Sequence, residues 1–153
     1  MRVLAGLIVF LAACEGVSVG APANITQSIP LTTQSAVVFD MPLILVVEGT
    51  PIGSALEVTL SATVTASTAA YAHEVASQIS LTSETKDGAL VVKVSPIPPD
   101  SRIFGVLHAR VPAALNLGAR APLGAVVRAM TGSIDLLTGA GVEVYDARGS
   151  VII

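Results

Sequence analysis

Two stretches near the C-terminal end repeat at a constant offset. Gly124-Ala-Val-Val127-Arg-Ala-Met-Thr-Gly132-Ser133-Ile134 lies over Gly141-Val-Glu-Val144-Tyr-Asp-Ala-Arg-Gly149-Ser150-Val151 with a step of 17 throughout. Both glycine spacings, both Gly-Ser pairs and the branched positions coincide. Each unit therefore predicts two short strands joined by glycine turns, with Gly124, Gly132, Gly141 and Gly149 at the corners. A unit this small cannot bury its own apolar positions and must stack them on the next copy, which is the logic of a β-solenoid. The alternative is an antiparallel meander in a β-sandwich, whose turns also recur at short, regular intervals. The common step favours the solenoid.

The chain ahead of the repeats is also rich in strand signals. Ala36 to Phe39 and Leu43 to Val47 are short apolar runs separated by Asp40, Met41 and Pro42; the proline marks a turn or an edge. From Leu56 to Thr65 apolar residues alternate with Glu57, Thr59, Ser61, Thr63 and Thr65. A period of two predicts a strand with one face buried and one wet. Ser67 to Ser77 is alanine-rich with poor apolar spacing, so a short helix capped by Thr68, or a loop, is expected there. Strands follow at Gln78 to Thr82 and Ala89 to Val94, joined through Asp87-Gly88, a hairpin signal because Gly88 reaches positive φ without steric cost. Pro96, Pro98 and Pro99 make a stiff connector before a strand at Ile103 to Val111. The expected fold is all-β over residues 36–153: a short solenoid-like stack preceded by antiparallel strands. Residues 14–35, small, polar and proline-containing, read as a flexible tether.

The N-terminus carries Arg2, then an uncharged run from Val3 to Ala13, then Cys14, the chain's single cysteine. As a helix that run spans about 16 Å, roughly half a bilayer core, which suits the apolar part of a secretory signal and is too short for an anchor. Leu11-Ala12-Ala13-Cys14 resembles the lipobox of bacterial lipoproteins. The resemblance implies a signal peptide over residues 1–13, cleavage between Ala13 and Cys14, and diacylglycerol on the thiol. With about 0.8 kcal/mol per buried CH₂, the resulting acyl chains hold firmly to a membrane. Glu15 is not the aspartate that retains some lipoproteins in the inner membrane, so the resemblance favours the outer membrane of a bacterial envelope.

The stretch from Val111-Pro112 through Leu115-Asn-Leu117 to Thr131-Gly-Ser-Ile134 and Arg148-Gly-Ser-Val151 is similar to bacterial adhesin-like domains, envelope proteins with right-handed β-helical or head-GIN-type folds. The similarity covers Ala36 to Ile153 and rests on turn-and-strand patterns. It implies a fold more than an activity. The terminal Val151-Ile152-Ile153 contains no polar capping residue, so a β edge available for strand addition, to a protein partner or to a second copy, is expected.

Several function classes are excluded or left without support. Eight Lys+Arg against eleven Asp+Glu give a net charge of −3 with no basic cluster, which argues against nucleic-acid binding. Ser83-Glu84-Thr85-Lys86 matches the Ser-x-x-Lys of penicillin-recognising enzymes, but it leads into the Asp87-Gly88 turn and its partner motifs are missing. His73-Glu74 is followed at the zinc-ligand position by Ser77, and His108 stands alone in a strand. Asp135 and Asp146 lie on or near the repeats without the density of a calcium-binding roll. No catalytic residue, metal or cofactor is nominated. The sequence is read as a lipid-anchored envelope protein in a structural or adhesin-like role; the alternative is an envelope lipoprotein holding a small apolar or lipid ligand in a cavity.

Overall fold

The computed structural model describes residues 19–153. The expected signal peptide, Ala13 and Cys14 lie outside the described residues. Twelve strands and one helix follow in the order β1 (Val19–Pro30), β2 (Ala36–Asp40), β3 (Ile44–Thr50), β4 (Ala55–Ala66), α1 (Ala69–Gln78), β5 (Leu81–Lys86), β6 (Ala89–Val94), β7 (Arg102–Pro112), β8 (Asn116–Arg120), β9 (Ala125–Arg128), β10 (Ile134–Leu137), β11 (Val142–Tyr145) and β12 (Val151–Ile152). They form two six-stranded mixed sheets, neither of them closed. The first runs β1-β4-β7-β3-β9-β11 and the second β12-β10-β8-β2-β6-β5.

From β8 onward the chain alternates between the sheets, and β10, β11 and β12 each lie parallel to the strand two before them. Leu117 pairs with Ile134 and Ile134 with Val151 in the second sheet; Ala125 pairs with Val142 in the first. The repeat step of 17 is thus the register of parallel pairing. Val37 pairs with Leu117 and Leu45 with Ala125, at one and the same separation along the chain, so β2 and β3 form a unit of the same shape. On their other side lie β6 and β7, also parallel to them. Chain order and spatial order therefore differ: β2 and β3, expected as part of an antiparallel lead-in, lie parallel to the repeats in the middle of the stack. Antiparallel pairing is confined to one end, where β4 joins β7 to β1 and β5 joins β6.

A second correction concerns the expected tether at 14–35. Residues 19–30 of it are β1, paired with β4 over its whole length, Val19 opposite Ala66 to Pro30 opposite Ala55. Ala21, Ala23 and Ile29 point inward and are buried, while Gly20, Pro22, Asn24 and Thr26 are exposed. Proline is tolerated because β1 is an edge strand and its outer row of backbone groups needs no partner. The small residues conceal a period of two that becomes a strand by pairing with β4.

The core lies between the sheets. On β4, Leu56, Val58, Leu60 and Val64 are fully buried while Glu57, Thr59, Ser61 and Thr63 face water, as alternation requires. Phe39, Leu43, Leu45, Leu107 and Leu117 meet them in one contiguous cluster. α1 packs across β1 and β4 through Ala72 and Val75. Its N-cap is Thr68, whose hydroxyl accepts from the Tyr71 amide at 3.2 Å. Ala21, Ala66 and Ala72 keep that contact close. Asp87 and Gly88 both take positive φ, 51° and 78°, the two-residue turn whose twist suits the β5–β6 hairpin.

Candidate interaction surface

The corners explain the glycines. Gly132 stands over the carbonyl of Leu115 and Gly149 over that of Gly132, so closely that a Cβ on either would overlap the carbonyl oxygen below. Gly124 takes φ 117° and faces the Gly141 carbonyl. Gly141, its counterpart one step later, has no heavy atom within 4 Å of where a Cβ would stand. The serine after Gly132 joins a side-chain ladder: the Ser133 amide and hydroxyl donate to Asn116 Oδ1 at 3.0 and 2.8 Å. Ala129 and Asp146, again one repeat step apart, both take left-handed φ, 56° and 51°.

The side chains singled out for chemistry are not brought together. His73 is exposed on α1 and His108 on the outer face of β7. Ser83 and Lys86 are three apart on β5, which sends them to opposite sides of the strand instead of the same side of a helix. Among the described residues no three His, Cys, Asp or Glu side chains gather as a metal site would need. The space between the sheets, where an apolar ligand would have to lie, holds interdigitated Phe39, Leu43, Leu45, Leu60 and Leu107, all fully buried. Two surface depressions on the second sheet share Asp40, Lys93, Arg120 and Leu137, a mixed-charge wall that selects for neither sign.

The outer face of the first sheet carries a row that sequence inspection does not reveal, because its members come from five strands. Register aligns Glu57, Arg110, Glu48 and Arg128, alternating in sign, and Arg128 pairs in turn with Tyr145. The Arg110 guanidinium lies 3.5 Å from Glu57 Oε2, and Arg128 sits 5.3 Å from the Tyr145 ring centroid. Tyr145 donates its hydroxyl to Glu143 Oε2 at 2.7 Å. That hydrogen bond, then the glutamate charge, raises the tyrosine pKa above its ordinary 10. Exposed pairs like these are screened by solvent and add little to stability.

The row ends at β11, and the two ends of the stack are built differently. At the β1/β5 end the edges are protected: Pro22 and Pro30 carry no backbone N–H to offer from edge strand β1, and β5 exposes Thr82, Ser83, Glu84, Thr85 and Lys86. At the other end the inward positions lose their cover. Leu117 and Ile134 are each 1% exposed, whereas Val151, next in the same column, is 40% exposed. Ala125 and Val127 are buried, but Val142 and Val144 above them are half-buried. Ile152 and Ile153 are more exposed still, at 63% and 72%. Charges and prolines are the usual means of blunting an edge. On β11 and β12 there is one charge, Glu143, and no proline.

No family model matches the chain, and no curated protein matches it. Among solved structures, similarity is found to a "putative cell adhesion protein" from Clostridium sporogenes (TM-score 0.42, 8% identity, covering 82% of this chain and 59% of that one). A "putative adhesin" from Parabacteroides distasonis gives TM-score 0.36 at 16% identity, covering 84% and 63%. A "putative lipid binding protein" from the same organism gives 0.33 at 10%, covering 84% and 68%. The chain spans about three fifths of the first two structures' length. At these values the functional reading rests on the chain's own residues.

Proposed function

We propose that this is a non-catalytic protein of the bacterial envelope, lipid-anchored through Cys14, with an adhesin-like interaction role served by the edge of β11 and β12. In this reading β8–β12 is a short β-solenoid, the repeat step being its rung, and the outer membrane is its site. The observation that carries the interaction role is the contrast between the two ends: one guarded by prolines and polar residues, the other presenting Val142, Val144, Val151 and Ile152. A strand with unpaired backbone and an apolar inner face is a template for strand addition.

In this reading residues 15–18 lie between the anchor at Cys14 and Val19, the first described residue of β1. Even fully extended they reach no more than about 18 Å, so the domain rides close to the bilayer. The test is metabolic labelling with a palmitate analogue in the wild type and Cys14→Ser, combined with crosslinking in the intact envelope. Label lost in the variant, with a crosslinked species in the wild type, is expected. Equal labelling of both overturns the anchor, and a wild type that crosslinks to nothing overturns the interaction role.

A further inference from the structure

We infer that one side of the domain rests on the lipid bilayer, with Ile44, Phe104 and Leu123 seated among the headgroups and upper acyl carbons. This builds on the anchor at Cys14 proposed above and says which surface that anchor sets against lipid.

Strand direction defines the side. In the second sheet β2, β6 and β8 run parallel toward it, and in the first sheet β3, β7 and β9 run parallel away from it. The chain crosses from sheet to sheet there through residues 41–43, 95–101 and 121–124. β1 is antiparallel to β4 and β4 to β7, so β1 also starts on this side, and Val19 stands on it. Cys14 can lie no more than about 18 Å from Val19, whereas the far end of β1, a strand of 12 residues, is roughly 40 Å away. An anchor at Cys14 therefore holds this side next to the bilayer, and the opposite one is beyond the tether's reach.

Side-chain chemistry divides the same way. Ile44, Phe104 and Leu123 are 38%, 51% and 46% exposed. Ile44 lies opposite Val106, two residues beyond Phe104 on the same face of β7. The Leu45 amide donates to the Gly124 carbonyl at 3.1 Å, which brings Leu123 alongside the start of β3. Half-buried Val46, Val106 and Val126 join the three into one apolar surface. An exposed apolar patch marks a protein or membrane contact, and the short tether decides for the membrane. The turns of the opposite side expose Thr32, Thr33, Ser35, Ser54 and Asp87, with Ile52 the apolar exception at 91%. Charges of both signs stand on the lipid-facing side, Lys93, Arg102 and Arg120 with Asp40, Glu74 and Asp100. Neither sign prevails, so anionic lipid gains no selective hold and the apolar side chains carry the contact.

The chain contains no tryptophan, so Phe104→Trp, Leu123→Trp and Ile52→Trp each place a single fluorophore at an exposed position. Each variant is isolated from the envelope as the cell makes it and put into phosphatidylcholine vesicles whose acyl chains carry bromine near the headgroup, which quenches tryptophan on contact. Expected is a loss of fluorescence in F104W and L123W several-fold greater than in I52W, and unchanged at about 1 M salt, where charge attraction is screened beyond about 3 Å. Loss in fewer than both, an equal loss in I52W, or disappearance of the difference in salt overturns the inference. Mass measurement of the same preparations reads the anchor separately: an unmodified Cys14 refutes the anchor, and coupling that thiol to a maleimide lipid in the same vesicles lets the quenching still decide the contact.

Discussion

Replacing three repeat glycines one at a time by alanine tests whether tight stacking of the corners, or merely a preference for turns, explains the repeat. At Gly132 the new methyl would overlap the Leu115 carbonyl oxygen, and two consecutive turns would have to part by about an ångström, an overpacking that costs about 1–3 kcal/mol. The same separation stretches the Leu117 N–Ser133 O bond (2.8 Å) and the Ser133 amide bond to Asn116 Oδ1 (3.0 Å), each worth about 1 kcal/mol. Gly132→Ala is therefore expected to cost about 3 kcal/mol, lowering Tm by about 10 °C in a domain of this size. Gly149→Ala makes the same overlap with the Gly132 carbonyl, but only β12 lies beyond it and can lift, so its cost is smaller. Gly141→Ala meets nothing within 4 Å, and its backbone is outside the left-handed region. It is expected to be neutral or to stabilise by about 0.4–1 kcal/mol, by restricting the unfolded chain. Equilibrium urea unfolding of the Cys14→Ser chain, with each glycine variant added in turn, measures all three. If Gly141→Ala is as damaging as Gly132→Ala, the glycines answer to turn conformation and the stacking argument fails.

Truncating Phe39 or Leu45 to alanine, both fully buried between the sheets, is expected to cost about 3–5 and 2–5 kcal/mol respectively in the same assay, whereas Leu137→Ala, at a residue 63% exposed, changes little. Ala129→Gly relieves a left-handed alanine, φ 56°, and is expected to raise stability by about 1 kcal/mol; a loss would mean that this corner is not strained. The two tyrosines should both ionise above the ordinary value of 10 in an ultraviolet pH titration, because Tyr71 donates to Asp100 Oδ1 at 2.8 Å and Tyr145 to Glu143. A raised folded-state pKa means that these hydrogen bonds support the fold below about pH 10 and are lost as pH rises through the folded values, and Asp100→Asn should return Tyr71 alone toward 10.

How far the fold was legible varied with how strongly each segment exposes one face to water. On β4, unbroken alternation from Leu56 to Thr65 predicts the strand and its buried side, because every second position must satisfy a different solvent. The Asp87-Gly88 pair locates a turn because positive φ at two successive residues narrows the choice of side chain. β1 was not legible as a strand: its inward residues are mostly alanines and its outward ones include glycine and proline, so the period carries little hydrophobic contrast. The polar row across the first sheet was invisible for another reason, since its members are far apart in the chain and only register aligns them. In the candidate site, Gly132 and Gly149 could be picked out by repetition alone. The incomplete burial of Val144 and the exposure of Val151, on which the interaction reading turns, could not, because the branched residues one step earlier, Val127 and Ile134, are buried.

The step of 17 is a property of the sequence, and any fold that honours it must superpose Ile134 on Val151 and Gly132 on Gly149. Local chemistry is enough for that, since turns and alternation act over a few residues. Which units become neighbours is not a local matter. β2 and β3 pair with β8 and β9 from far along the chain, and β6 and β7 cover their other side, because that arrangement buries Val37, Phe39, Leu45 and Val47 completely. Burial is a property of the assembled stack, and so is its absence: only tertiary structure decides that one end of the stack is guarded and the other open.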